Sequence, residues 1–253
     1  MPFKKVLLLE PEGGPWAAFL KDYFSDVPAE LGSFHEVGQA PAYFDRASPD
    51  VLILESSFLT QAVRSKIKVR RNTVPAFRAF CLGEPPSAEG RSLFDVVFPE
   101  RPEVSAFDKR FTDALPLPPA ARVLVVDDEE EIGAMVRDHF EERQECRFEV
   151  VQAMNGRKAL EEVRRRRPSV IILDIKMPEM DGREFYAKLK ERDPGIPVIV
   201  YFDSISSEEL AAMRRYGSPA VVEKGSSGSS AAGLLRLVKK SIYFSRETIT
   251  ENG

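Results

Sequence analysis

The chain has 253 residues, 43% hydrophobic and 30% charged, a length that suits two ordinary domains and a composition that excludes wholesale disorder. Its formal charge of -4 gives no global attraction to nucleic acid, and no apolar run approaches the roughly 20 residues of a membrane span; a cytoplasmic protein with no signal peptide and no membrane contact is expected. Two cysteines, Cys81 and Cys146, and two histidines, His35 and His139, exclude a disulfide framework or a Cys/His zinc site, and both cysteines read as buried thiols.

Residues 6–9 (VLLL) predict a first strand and 15–24 an amphipathic helix. Further strands are predicted at 51–54 (VLIL), 76–82 and 95–98. Between the last two lies GEPPSAEGRSL (83–93), where two prolines leave room for a short helix or none. The basic run RSKIKVRR (64–71) reads as the solvated face of a helix. TDALPLPPAA (112–121) carries three prolines in ten residues and predicts a semi-extended, stiff connection. The domains are accordingly placed at 1–115 and 122–244, with a linker at 116–121 and a short polar tail at 245–253.

After the linker, apolar strands alternate with amphipathic helices. The strands read RVLVV (122–126), about 149–152, SVIIL (169–173), PVIVY (197–201) and AVVE (220–223), rich in the branched residues of strands covered on both faces. Ile132, Met135, Val136 and Phe140 recur at helical spacing, as do Leu210, Met213 and Tyr216, and Leu234, Val238 and Ile242; each set predicts one buried stripe. Helices are signed at their starts by Asn155-Gly156, by Asp181 with Glu184, and by Ser206 with Glu209, and Gly217 reads as a stop. Arg164–Arg167 ends a helix, where cations complement the dipole. The second half is therefore (βα)5, and the first repeats its layout imperfectly. The fold class is α/β, with two flavodoxin-like, doubly wound parallel-sheet domains, the first degenerate.

In such sheets the residues just past the carboxyl ends of the strands share one edge, where ligands bind. Asp127 and Asp128 follow the first strand of the second half, Asp174 the third and Lys224 the fifth, which gathers three carboxylates and one ammonium at one crevice. Crowded carboxylates call for a counter-charge. A hard divalent cation such as Mg²⁺ meets that need with one or two carboxylates, a main-chain carbonyl, waters and phosphate oxygens. Taken singly, DDEEE at 127–131 is an ordinary acidic first turn, a lone Asp after a strand is a turn residue, and a lone lysine is a solvated one. Their joint placement, with the MPEMDG turn at 177–182, carries the functional reading.

VLVVDDE (123–129), LDIKMPEMDG (173–182) and the lysine ending the fifth strand resemble the receiver domain of two-component response regulators over about 120 residues. That resemblance implies that Asp174 accepts a phosphoryl group from a histidine kinase or a histidine phosphotransfer protein. It also implies that Asp127, Asp128, Asp174 and the Lys176 main-chain carbonyl hold Mg²⁺, and that Lys224 contacts the phosphate. The physical logic is an in-line carboxylate nucleophile with charge neutralised on the transferring oxygens. No enzymatic activity beyond self-phosphotransfer and autodephosphorylation is expected.

The sequence departs from the family at its switch positions. Where the family carries Thr or Ser at the end of the fourth strand and an aromatic three residues before the lysine, this chain has Phe202 and Val221. A lost hydrogen bond to a charged group costs about 1.5–3 kcal/mol, whereas moving an equilibrium from 1:99 to 99:1 takes about 5.5 kcal/mol. Phosphorylation is thus compatible with these residues and the usual switch is blunted. Asp203 replaces a small residue; at an assumed ~5 Å and effective dielectric of ~20 its charge would be worth roughly 3 kcal/mol at the site, repelling phosphate or pairing with Lys224, or it points to solvent as a turn acid. Ser204 offers a hydroxyl two residues late, and GSSGSS (225–230) predicts a mobile loop after the lysine.

In the first half the same resemblance puts Glu10 and Pro11 at the acidic pair, Glu55 at the acceptor, Phe80 at the hydroxyl and Pro99 at the lysine, so no phosphorylation is expected there. Two readings follow. One is a tandem-receiver signalling protein whose first half is a non-phosphorylatable interaction module; the other is a phosphate-independent scaffold of two atypical receivers. A flavin module would want a neutral, hydroxyl-rich loop in place of DDEEE. With no nucleic-acid-binding module read in either half, the expected output is a contact with a downstream protein, and the resemblance admits a homodimer.

Overall fold

The computed structural model describes residues 4–85, 87–100, 102–217, 219–226 and 228–245. The tail expected at 245–253 lies, from residue 246 on, outside them, as does Ser227 of the loop after Lys224. The chain forms two compact units, Met1–Pro116 and Leu117–Gly253.

The first unit runs β1 (Lys4–Leu9), α1 (Trp16–Tyr23), β2 (Ala29–Phe34), α2 (Ala40–Ala47), β3 (Val51–Glu55), α3 (Gln61–Thr73), β4 (Arg78–Leu82), α4 (Ala88–Arg91), β5 (Val96–Phe98) and α5 (Val104–Asp113). The second runs β6 (Ala120–Val126), α6 (Glu130–Glu141), β7 (Arg147–Ala153), α7 (Gly156–Arg165), β8 (Val170–Leu173), α8 (Gly182–Arg192), β9 (Val198–Phe202), α9 (Ser207–Arg214), β10 (Ala220–Glu223) and α10 (Ala231–Phe244). Each unit has one five-stranded parallel sheet of the same order, β2-β1-β3-β4-β5 and β7-β6-β8-β9-β10. This is the doubly wound arrangement expected.

Burial follows from the residue pattern. Central strands such as VLLL and VIIL are apolar at every position because helices cover both sheet faces. In the second unit alternate strand residues split between two clusters: Val123, Val125, Ile199 and Tyr201 pack toward α6 and α10, while Leu124, Val126, Val200 and Leu173 pack toward α7 and α8. Asn155, Asp181, Ser206 and Ser230 all cap helices with their side chains, and Ser206 with Glu209 forms a complete capping box.

Several expectations need correction. β2 (AELGSF) has no apolar run because it is a half-exposed edge strand, so its sequence lacks the strand signal. Thr112 is buried in the last turn of α5 and Ala120 already pairs with β7, which shortens the extended connection to residues 114–119. Tyr216 is 45% exposed, since α9 ends at Arg214 and the helical period no longer applies to the turn beyond it. The region expected to hold a short helix or none holds the single turn α4, capped by Ser87. The basic run on α3 is a brace more than a solvated face: Lys66 pairs with Asp45 at 2.6 Å, Lys68 with Glu89 at 3.0 Å and Arg71 with Asp95 at 2.6 Å, and Arg70 donates to the Ser48 and Pro49 carbonyls.

Candidate functional site

Two acidic side chains are buried at the carboxyl edge of the second sheet. Asp127 directly follows β6 and is 1% exposed; its Oδ1 accepts the Glu129 N–H at 2.9 Å. Asp174 follows β8, is 5% exposed, and its Oδ2 accepts the Lys176 N–H at 2.9 Å. Lys224 follows β10, its N–H donating to the Phe202 carbonyl at 2.7 Å. Its Nζ lies 2.8 Å from Glu129 Oε1, 3.3 Å from Asp127 Oδ2, 3.5 Å from Asp174 Oδ1 and 3.8 Å from Asp203 Oδ2. Backbone anchors hold the strand ends in step: Asp174 N–H donates to Val126 O at 2.8 Å and Asp127 N–H to Ala153 O at 3.1 Å.

Burial sets the charges against one another. Desolvation pushes the Asp174 carboxyl up to about 6, with Lys224 opposing and Asp127 adding to the shift. Burial also raises Asp127, against the Glu129 N–H and Lys224. For Lys224 burial works against the charged form, yet Glu129, Asp127 and Asp174 outweigh it and hold the ammonium above the ordinary lysine range. Among the described residues the buried Asp127 Oδ2 has the ion pair with Lys224 at 3.3 Å but no hydrogen bond of good geometry. The site therefore has more buried acceptor capacity than its one lysine satisfies, which is the electrostatic requirement for a cation.

Of the three carboxylates expected to converge, two do. Asp128 is exposed, and among the described residues no group of three or more His, Cys, Asp or Glu side chains is placed to hold a metal. One or two carboxylates still suit Mg²⁺, whose remaining ligands are main-chain oxygen, water and phosphate. Asp203 is 70% exposed, so its 3.8 Å approach to Lys224 is worth ~0–1 kcal/mol, below the roughly 3 kcal/mol a less solvated pair would carry. Phe202 packs against the cluster beneath α7 and α8, and Val221 is 39% exposed on the edge strand β10. The Ser204 hydroxyl accepts from Lys176 Nζ at 2.6 Å, tying the loop after β9 to the loop after Asp174.

Sequence reasoning missed three residues here. Glu129 makes the shortest contact to Lys224, but nothing in DDEEE singles it out from Glu130 or Glu131. Gln152, at the end of β7, donates from Nε2 to the main-chain oxygens of Asp127 (3.1 Å) and Glu129 (2.9 Å) and so fixes the acidic loop. Tyr201 lies under Lys224, its ring centroid 5.4 Å from Nζ, and its hydroxyl donates to the Ser229 carbonyl at 3.4 Å. Gly182, the end of MPEMDG, has a reason the motif alone does not state: a Cβ there would collide with the Asp174 carbonyl oxygen.

A family model for the response regulator receiver domain matches residues 123–230. The chain is 34% identical over 104 residues to sporulation initiation phosphotransferase F of Bacillus subtilis (strain 168), covering 82% of that protein and 39% of this chain. This chain belongs to the response regulator receiver family. The receiver is also 36% identical over 103 residues to a protein-glutamate methylesterase/protein-glutamine glutaminase of Nocardioides sp., of whose length it spans 28%. Among solved structures, the response regulator domain of Thermotoga maritima CheB is similar at 25% identity and a TM-score of 0.43, over 49% of this chain and 96% of that one. The matched residues put Asp127, Asp174 and Lys224 inside the receiver, a signalling module of two-component systems.

The corresponding edge of the first unit is closed by its own side chains. Glu10, 1% exposed, follows β1 and accepts the N–H groups of Trp16 (3.1 Å) and Ala17 (2.8 Å), so this acid caps α1. Pro11 beside it is exposed. Glu55 accepts from the Ser57 hydroxyl at 2.7 Å and ends β3 in a local turn. Pro99 follows β5 and supplies no cation. Phe80 was expected at the end of the fourth strand of this unit, but β4 continues two residues further to Leu82, and Phe80 stacks on Phe111 with centroids 4.6 Å apart.

Proposed function

We propose that this chain is a two-component signalling protein in which Asp174 accepts a phosphoryl group, in a Mg²⁺-dependent reaction, from a histidine kinase or histidine phosphotransfer protein. The observation that carries the proposal is the burial of Asp174 beside Asp127 with Lys224 Nζ 3.5 Å from the acceptor oxygen Oδ1. The other oxygen, Oδ2, is oriented by the Lys176 N–H. A new P–O bond forms to the acceptor carboxylate as the donor's P–N or P–O bond breaks, its electron pair leaving with the donor. Lys224 keeps its protons and neutralises charge on the transferred oxygens. Asp127, Asp174 and the Lys176 main-chain carbonyl would hold Mg²⁺, with Asp128 reaching it from the exposed side; when bound, the ion offsets the negative charge of the carboxylates and phosphate.

The first unit acts as a non-phosphorylatable interaction module, a reading supported by Glu10 and Glu55 being committed to local caps. Output passes to a downstream protein partner, and self-association as a homodimer belongs to the same reading. A phosphate-independent scaffold is the second reading, favoured by Phe202, which has no hydroxyl to follow a phosphate inward. Incubating the protein with Mg²⁺ and a small phosphodonor, then weighing it intact, separates the two. One added phosphoryl group that disappears in Asp174→Asn is expected; none in the wild type, or a phosphorylated Asp174→Asn protein, would overturn the phosphoacceptor reading.

A further inference from the structure

We infer that Glu129 is an internal competitor for the phosphate seat: its carboxylate occupies Lys224 in the resting protein and must be displaced before a phosphoryl oxygen takes its place. This rests on the phosphoacceptor reading of Asp174. An ammonium has three N–H donors, and Lys224 Nζ is already surrounded by four carboxylates within 4.0 Å. The hydrogen bond that Nζ donates goes to Glu129 Oε1 at 2.8 Å, so an incoming anion competes with that carboxylate for the ammonium.

Exposure and anchoring decide which partner leaves. Asp127 and Asp174 are buried, and each is oriented by a backbone N–H. Asp203, more exposed still at 70%, stands 3.8 Å away, beyond hydrogen-bonding distance, and so holds no donor of the ammonium. Glu129 is closest, at 2.8 Å, yet its side chain is 55% exposed and Lys224 is its one side-chain partner among the described residues. Its carboxylate can rotate into water at little cost. The backbone does not follow, because Gln152 holds the Asp127 and Glu129 carbonyls and its side chain fills the space above Gly133, where a Cβ would collide with it. Glu129 is thus a tethered competitor whose local concentration is set by the loop and not by the solution.

The alternative role, that Glu129 merely positions Lys224, predicts the opposite sign. The full-length chain in Mg²⁺ can be titrated with fluoroberyllate, a phosphoryl mimic, and its bound fluorine resonance followed. If Glu129 competes, Glu129→Gln binds about three- to ten-fold more tightly, the scale of one partly exposed ion pair. Glu129→Asp, which keeps the charge but shortens the reach, gains similarly, and in a Lys224→Ala background Glu129→Gln gains nothing. Equal or weaker binding by Glu129→Gln than by the wild type overturns this inference alone, as does a gain with Gln but not Asp, or a gain that survives in Lys224→Ala. Absence of binding by every variant overturns both the inference and the phosphoacceptor reading.

Discussion

Asp174 carries its charge where burial resists it. Its carboxyl is raised from 3.8 to about 6, so between those values the folded chain keeps a proton that the unfolded chain has released. Stability is therefore unaffected by this group below about pH 4, falls as pH rises toward about 6, and stays reduced above it; the raised Asp127 acts in the same direction. Two pKa units correspond to about 3 kcal/mol, and the loss of the Lys224 contact offsets part of any gain. Asp174→Asn should accordingly stabilise the metal-free protein by about 1–3 kcal/mol at pH 7.5 and by nothing measurable below pH 4. Thermal unfolding with a chelator at the two pH values tests this; a destabilised Asp174→Asn at pH 7.5 would show that Lys224 compensates the carboxylate fully.

At the scale of elements, the site depends on how closely α8 approaches the end of β8. The Gly182 N–H donates to the Ile175 carbonyl at 2.9 Å, and the absence of a Cβ lets this turn pass the Asp174 carbonyl. The obstacle is main chain and cannot rotate away. Gly182→Ala should thus cost about 1–3 kcal/mol and displace Asp174, lowering the rate of phosphoryl acceptance as well as the denaturation midpoint. A variant as stable and as readily phosphorylated as the wild type would show that the loop between β8 and α8 yields freely. Elsewhere the helices were legible where an apolar repeat or a capping pair signed them, as at α6, α8 and α9, while the edge strand β2 was illegible because half its surface faces water and no pattern is imposed.

At the scale of the molecule, two sheets of one strand order differ in what fills their carboxyl edges. In the first unit Glu10 is spent on the α1 N-terminus and no lysine follows β5. Glu10→Ala should destabilise that unit by about 1–2 kcal/mol, the loss of a helix cap, and leave phosphoryl stoichiometry at one per chain. Asp174→Asn should do the reverse, abolishing phosphorylation without lowering stability. Differential scanning calorimetry paired with intact mass tests both, and a loss of phosphoryl acceptance in Glu10→Ala would mean that the first unit contributes to the chemistry.

The sequence by itself determined the fold class and the receiver family, because strand apolarity, caps and the DDE and MPEMDG motifs are local signals. It misplaced Phe80, read Asp128 as a converging carboxylate and left Asp203 open between pairing and solvent, since register and exposure depend on the neighbouring strand and on solvent. Which of five consecutive acids holds Lys224 was settled only in three dimensions. Gln152 fixes the backbone of the loop from the next strand, and from that fixed backbone Glu129, not Glu130 or Glu131, comes within hydrogen-bonding distance of the ammonium.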